Sequence, residues 1–162
     1  IYAYQTHDKR LFHKKYLDRF ESVLGSGFAY LDIANASFID NYQQKTKGTE
    51  KNDEGEFTVI ENIPLDKGHY GKLIVLVDPK KDNRVKRIDY YDSAMVLMKT
   101  MTFTYGMLSV KEEKNLTREI EFPIRWDMAD VSRGTVSTLE FFSVDKTARL
   151  DASLFKKENI EK

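Results

Sequence analysis

Residues 118–128 read REIEFPIRWDM, and apolar side chains recur in this stretch at every second position. An alternation with a period of two is typical of a β-strand that buries one face. The predicted apolar face holds Ile120, Phe122, Ile124, Trp126 and Met128, and the opposite face holds Glu119, Glu121, Pro123, Arg125 and Asp127. A sheet built from such strands must cover its apolar face with another layer.

Similar strand patterns extend from this stretch along most of the chain. Residues 95–108 read MVLMKTMTFTYGML, where Leu97, Met101, Phe103 and Tyr105 share a face that only Lys99 interrupts. Further strand patterns lie at residues 57–63, 70–78, 84–92 and 135–144, and short turns such as PKKDN and SRG separate them. About eight strands joined by short turns predict a mainly β, antiparallel meander in a single domain over residues 1–162.

The remaining segments predict few and short elements. IYAY at residues 1–4 and KRLFHKKY at residues 9–16 indicate two short strands. Residues 32–42, DIANASFIDNY, fit a short helix or a turn, and residues 151–162 fit a short helical turn. No helical layer large enough to cover a long sheet is predicted.

Composition excludes several classes of function. The 162 residues include 26 basic and 26 acidic side chains, so the formal net charge is zero and the basic footprint of a nucleic-acid binder is absent. The chain has no cysteine, which excludes disulfides, thiolate-bound zinc and a cysteine nucleophile. The longest apolar run, LIVLV at residues 73–77, has the length of a strand.

Motifs for catalysis or metal binding are not found in the sequence. His7, His13 and His69 lie far apart, and none has a partner at metal-ligand spacing. The acidic stretch EKNDEGE at residues 50–56 lacks the spacing of a calcium loop and is typical of a solvated hairpin turn. Neither GxSxG nor a phosphate-binding loop occurs. We therefore predict no catalytic residue, no metal and no cofactor.

Five segments, in order, resemble the LolA-like outer-membrane lipoprotein-sorting proteins. ESVLGSGFAYLDIAN at residues 21–35 is similar to the family's FLGSDFTYEDL segment, and IYAY is similar to an earlier strand. HYGKLIVLVDPKKDNRVKRIDYYDSAMVLMKTMTF at residues 69–103 resembles the family's central region. GTVSTLEFFSV at residues 134–144 and LDASLFKKENIEK at residues 150–162 resemble its closing segments.

The chain departs from the family pattern at single positions. Gly27, Ala29 and Leu31 stand where the family has Asp, Thr and Glu, Leu76 replaces a Trp, and Val85 replaces a Pro. Family members also have more chain before this start. The resemblance therefore implies a LolA-like domain that lacks its N-terminal part.

The resemblance implies a strongly curved antiparallel sheet that forms an incomplete, half β-barrel, with helices and loops over its concave side. Residues 21–32, ESVLGSGFAYLD, combine glycines with apolar side chains, as expected for a loop that lies across a cavity. We expect Leu24, Phe28 and Tyr30 of this lid loop to plug the cavity, while Gly25 and Gly27 let the backbone turn tightly. The alternative is that the loop only packs on the edge of the sheet.

The function that the resemblance implies is carriage of lipids or of lipoprotein acyl chains through the periplasm to the outer membrane. An acyl chain in water is unfavourable by about 0.8 kcal/mol per CH₂, so such a carrier needs an apolar groove. An RND-type membrane transporter is the partner implied, and no nucleic acid is expected. Alternation along the strands predicts these groove residues: Leu97, Met101, Phe103, Ile120, Phe122, Ile124, Trp126, Leu139 and Phe141.

Two other classes of function remain open from the sequence. The chain can be a structural or protein-interaction domain, accessory to an RND-type transporter and without lipid cargo, if its own side chains fill the cavity. It can also be an enzyme on a curved sheet, although no motif indicates one. A continuous apolar cavity favours the carrier, and a cleft with clustered histidines and carboxylates favours the enzyme.

Overall fold

The computed structural model describes residues 2–5, 10–13, 20–34, 41–65, 68–112, 116–147 and 153. Its main sheet has eight strands, seven of them in sequential antiparallel order. These seven are β3 (Tyr42–Asn52), β4 (Gly55–Pro64), β5 (Lys72–Asp78), β6 (Arg84–Tyr91), β7 (Leu97–Lys111), β8 (Thr117–Asp130) and β9 (Thr135–Glu140). In the described part of the chain β3 and β9 do not pair, so the sheet is not closed. The predicted mainly β, open antiparallel fold is confirmed.

Smaller elements accompany the main sheet. β1 (Tyr2–Gln5) and β2 (Arg10–His13) form a separate antiparallel pair. The helix α1 (Tyr30–Ala34) begins two residues before the segment in which a helix or turn was predicted, and residues 35–40 of that segment lie outside the described ranges. No helix in these ranges is both long and apolar enough to cross a membrane.

The last strand pattern of the sequence is divided in the structure. Residues 135–144 were predicted as one strand, but β9 ends at Glu140 and β10 (Ser143–Asp145) begins after a break at Phe141 and Phe142. β10 pairs in parallel with Ser109–Lys111 of β7 rather than continuing beside β8. The single-strand prediction was therefore wrong, because the apolar alternation carries no information about which neighbour a strand pairs with.

The hairpin turns follow their local chemistry. In the turn between β3 and β4, the amide of Glu54 donates to the Asn52 side-chain oxygen at 2.9 Å, and Gly55 adopts a φ of 147°. This is the solvated turn predicted for EKNDEGE. Between β5 and β6, the Lys80 amide donates to Asp78 at 3.0 Å, and Asp82 and Asn83 adopt left-handed φ values of 51° and 55°. Asp and Asn tolerate this conformation better than other side chains do.

Four β-bulges interrupt the ladders of the main sheet. Register shifts leave Lys47, Lys86, Met98 and Ile124 as extra residues. A bulge bends its strand and increases the local twist, so these four shifts promote the curvature of the sheet. Each shift also exchanges the faces on which the following side chains lie.

One face of the sheet, the inner face, carries the main hydrophobic core. Its buried residues come from β3, β5, β6, β7 and β8, from the loop before α1 and from the segment just before β5, and they are Phe28, Tyr42, Tyr70, Leu73, Val75, Val77, Ile88, Tyr90, Met101 and Met128. Side chains paired across neighbouring strands share a face. Leu73, Tyr90 and Lys99 therefore form one row across the inner face of β5, β6 and β7.

Candidate functional site: an apolar cavity on the inner face

The inner face encloses an apolar cavity of about 230 Å³. The strands and α1 supply its aliphatic and proline lining, which is Leu31, Leu73, Val85, Ile88, Met101 and Pro123. Its aromatic lining is Tyr42, Tyr70, Tyr90, Phe103, Tyr105 and Trp126. Asp32 is the one charged residue among the described residues that line this cavity.

Aromatic contacts shape the wall formed by β7 and β8. The rings of Phe103 and Trp126 meet edge to face, with their centroids 5.6 Å apart. The Trp126 indole N–H donates to the Pro123 carbonyl at 3.0 Å, so the polar atom of the indole is satisfied within its own strand. The ring can therefore present carbon atoms to the cavity without leaving a buried donor unpaired.

Residues 21–29 form a hydrogen-bonded loop against the inner face and lead into α1; we call residues 21–32, with the first residues of α1, the loop. The Val23 amide donates to the Phe28 carbonyl at 2.8 Å, and the Ser26 amide donates to the Val23 carbonyl at 2.9 Å. Leu24 and Gly25 make the tight turn with left-handed φ values of 52° and 78°. Phe28 is buried in the core, whereas Leu24 is 97% exposed at the tip. Phe28, rather than Leu24, is the side chain that the loop inserts.

Gly27 lets the loop approach β8 and β9 closely. A Cβ at this position would lie 3.1 Å from the Met128 Cγ, so a larger side chain requires Met128 to move. The Gly27 amide also donates to the Ser137 hydroxyl at 2.9 Å. The loop is thus attached to the sheet by both a close contact and a hydrogen bond.

A buried ion pair joins the loop to β7. The Lys99 ammonium lies 2.5 Å from Asp32 Oδ2 and donates to the Gly27 carbonyl at 3.3 Å. The same Asp32 oxygen accepts the Ala29 amide at 2.7 Å, and Asp32 Oδ1 accepts the Tyr70 hydroxyl at 2.9 Å. The side chains of Lys99 and Asp32 are 9% and 1% exposed. Such a pair tolerates burial because other groups also satisfy its charges.

Two tyrosine rings complete the surroundings of Lys99. Its Nζ lies 5.2 Å from the ring centroids of both Tyr70 and Tyr90. Burial raises the pKa of the Tyr70 hydroxyl, and the nearby Asp32 charge raises it further. Burial and then the Asp32 charge likewise raise the pKa of Tyr90. Both hydroxyls therefore keep their protons throughout the physiological range.

A second cavity, of about 350 Å³, lies on the other side of the ion pair. The loop, the turn after β6 and the turn after β8 surround it, and Lys99 contributes to its lining. His69 also lines this second cavity and is exposed, and its ring centroid lies 5.5 Å from that of Phe20 and 5.6 Å from that of Tyr70. His7 lies outside the described residues. In the described ranges no group of at least three His, Cys, Asp or Glu residues is arranged to hold a metal ion.

The residues predicted to form a groove occupy three places. Met101, Phe103 and Trp126 line the apolar cavity, and Leu139 packs against the same core. Leu97 lines the second cavity. Ile120, Phe122 and Ile124 lie away from the inner face. The ring centroid of Phe141 lies 5.4 Å from that of Trp126 and 5.3 Å from that of Phe122.

The bulge at Ile124 explains why the alternating apolar residues of β8 are divided between the two faces of the sheet. Trp126 pairs with Phe103 on the inner face, but Phe122 pairs with Gly106 on the outer face. A Cβ at Gly106 would lie 2.5 Å from Ile124 Cδ1, which places Ile124 on the outer face too. The prediction that these side chains share one face with Trp126 was therefore wrong, and Pro123 takes the inner position instead.

Sequence reasoning missed several residues of the cavity and of the buried ion pair beside it. Lys99 was visible as an interruption of an apolar face, but its partner Asp32 is distant in sequence and lay in a segment with no clear period. Tyr105 was grouped with the inner-facing residues of its strand without being selected for the groove. Tyr70 and Tyr90 had no distinguishing pattern, because tyrosines are frequent in strands.

Comparisons with known proteins agree with this architecture. A putative outer membrane lipoprotein-sorting protein domain from Vibrio parahaemolyticus superposes with a TM-score of 0.73 at 23% identity, over 99% of this chain and 65% of that chain. A DUF1329 family protein from Desulfovibrio piger gives a TM-score of 0.76 at 18% identity, over 98% and 63%. A LolA superfamily protein from Nitrosomonas europaea gives 0.65 at 21% identity, over 97% and 66%.

These likenesses establish the fold, and the chain spans slightly less than two thirds of each of the three structures. No curated protein matches the chain significantly in sequence. The LolA-like fold expected from the sequence is confirmed. Because a family model described as "Uncharacterized protein" matches residues 2–162, the chain belongs to that family, with a LolA-like fold.

Proposed function

We propose that this chain is a non-catalytic periplasmic carrier that binds an acyl chain of a lipid or lipoprotein in the cavity of its inner face. The observation that carries the proposal is the cavity itself, whose lining is aliphatic and aromatic except for one charged residue. Transfer of each CH₂ from water to such a lining is favourable by about 0.8 kcal/mol. The wall of the binding site is formed by Met101, Phe103 and Trp126, and Leu139 packs against the same core.

The size of the cavity limits what it binds without movement. Ligand sites usually enclose roughly 300–1,000 Å³, whereas this cavity encloses about 230 Å³. A single chain segment is therefore the natural occupant, and a larger ligand requires the loop to withdraw. Phe28 is the loop side chain that must leave the core in such a movement.

The likeness to an outer membrane lipoprotein-sorting domain supports a periplasmic location and a role in sorting or lipid transport. An RND-type transporter remains the partner proposed from the family resemblance. The alternative function is a structural or interaction domain accessory to such a transporter, with no lipid cargo. The insertion of Phe28 into the core is the observation that favours this alternative, because the chain then fills part of its own inner face.

Trp126 provides the test, because it is the only tryptophan of the chain. An acyl ligand that replaces water near the indole should shift its emission to the blue, and the shift should saturate on titration with a lysophospholipid. Native mass spectrometry of the purified protein should also detect bound lipid. A silent indole together with lipid-free protein would support the alternative function.

Two substitutions of the same type locate the site. Phe103→Glu places a charge in the cavity wall, where an unpaired buried charge is strongly unfavourable, and should abolish bound lipid and the emission shift. Phe122→Glu places the same charge on the outer face of β8 and should leave both unchanged. Loss of lipid in the Phe122 variant alone would place the binding surface on the outer face.

A further inference from the structure

We infer that the ligand of the apolar cavity carries a neutral head group with a hydrogen-bond donor, such as a hydroxyl or an amide N–H, and not a free carboxylate. This inference rests on the proposed function and adds the chemical class of the head group. It follows from the charges and hydrogen bonds at one end of the cavity. That end, the polar end, consists of Asp32, Tyr70 and Tyr90, and Lys99 lies behind it as the ion-pair partner of Asp32.

The two charges of this ion pair are not equally accessible to a ligand. Asp32 lines the apolar cavity, whereas Lys99 lines the second cavity on the opposite side of the ion pair. A head group that arrives through the apolar cavity therefore meets the carboxylate and not the ammonium. A second carboxylate at this position would be repelled by Asp32 and would lose its hydration without gaining a cation.

The hydrogen bonds of Asp32 leave room for one more donor. Oδ2 accepts from Lys99 and from the Ala29 amide, and Oδ1 accepts only from the Tyr70 hydroxyl among the described residues. An ionised carboxylate has about four acceptor sites. The remaining site on Oδ1 can accept a hydroxyl or an amide N–H of a ligand.

A second acceptor lies in the same row of the sheet. Asn62 on β4 pairs with Leu73, and Leu73 pairs with Tyr90, so Asn62 shares the inner face with the polar end. Asn62 is 1% exposed, and its Nδ2 donates to the Ile60 carbonyl at 3.2 Å. Its Oδ1 is a buried acceptor with no hydrogen-bond partner among the residues that the structure describes. A buried unpaired acceptor is unfavourable, so this row of the inner face carries a second site that favours donors over acceptors. Asn62 is not among the described residues that line the apolar cavity, and the contact proposed for the ligand is therefore with Asp32.

The test compares two ligands with the same acyl chain, monododecanoylglycerol and dodecanoate, by titration of the Trp126 emission at neutral pH. Because the Asp32 carboxylate repels a second carboxylate, the glycerol ester should bind at least about tenfold more tightly than dodecanoate, a difference of about 1.4 kcal/mol. Equal affinities, or tighter binding of dodecanoate, would overturn the inference while leaving the proposed function intact. No response to either ligand would contradict both.

Variants connect the preference to Asp32. Asp32→Asn removes the repelling charge and leaves Lys99 without a counter-ion, so the preference for the ester should disappear or reverse. Asp127→Asn is the matched control, because Asp127 pairs with Arg125 on the outer face, and it should keep the wild-type ratio. Tyr70→Phe removes the hydroxyl that donates to Asp32 Oδ1 and alters no charge, so this variant should keep the preference for the ester. It provides a second test of the role of the Asp32 charge if Asp32→Asn does not fold. A preference for the ester that survives in Asp32→Asn would show that another residue sets it.

Discussion

Lys99 shows how one residue can reveal a site that the pattern around it conceals. In the sequence it is a break in the apolar face of β7, and in the structure it is a buried cation paired with Asp32 at 2.5 Å. The break predicted that something polar lies on the inner face. It did not predict the partner, because Asp32 is 67 positions away and only the fold brings the two together.

Removal of the Lys99 charge should strongly destabilise the protein. Lys99→Met leaves the Asp32 carboxylate buried and unpaired, and the loss of one partner of a buried pair costs about 3–5 kcal/mol. Urea unfolding should show this decrease in the free energy of unfolding. Lys47→Met is the matched control, because Lys47 forms an exposed pair with Glu61 at 3.3 Å, and such a pair contributes about 0–1 kcal/mol. Similar losses in the two variants would show that the Lys99 pair is effectively solvated.

At the scale of elements, alternation identified the strands but not the positions of their bulges. β8 was recognised from its period of two, and the side chains on one half of it were nevertheless assigned to the wrong face. The extra residue at Ile124 has an apolar side chain that fits the alternation, so the sequence shows no interruption there. A bulge depends on the pairing of two strands and leaves no necessary trace in either strand alone.

The loop is the element whose role is tested most directly by substitution. Phe28→Asp should detach the loop from the core and expose the inner face, because an unpaired carboxylate is unfavourable where Phe28 is buried. Binding of a hydrophobic dye should rise while the strand signal in circular dichroism is retained. Leu24→Asp makes the same chemical change at a side chain that is 97% exposed, and dye binding should stay at the wild-type level. A rise in the Leu24 variant would indicate that the tip, rather than Phe28, shields the cavity.

For the whole molecule, the sequential order of strands could be predicted from the short turns, since short turns join neighbouring antiparallel strands. The parallel pairing of β10 with β7 could not, because it requires the chain to leave β9 and reach a distant position after two residues of irregular backbone. The cavity was also beyond prediction in detail. Its lining comes from five strands, the loop and Tyr70 just before β5, and each register shift changes which side chains reach it.

An open sheet also predicts unequal stability across the molecule. β5 and β6 each pair with strands on both sides and supply buried residues to the core, whereas β3 pairs only with β4 in the described part of the chain. The free energy of a local opening ranges from about zero up to the global free energy of unfolding, which is about 5–15 kcal/mol for natural domains.

Amides of β5 and β6 should exchange with solvent only through global unfolding. The amides of β3 that bond to β4 should exchange orders of magnitude faster through fraying, as measured by hydrogen–deuterium exchange. A bound acyl ligand should slow exchange in the loop and leave β3 unchanged, because the cavity lies between the loop and the central strands. Slow exchange of β3 in the free protein would mean that its outer edge is covered and that the sheet is less open than its pairing indicates.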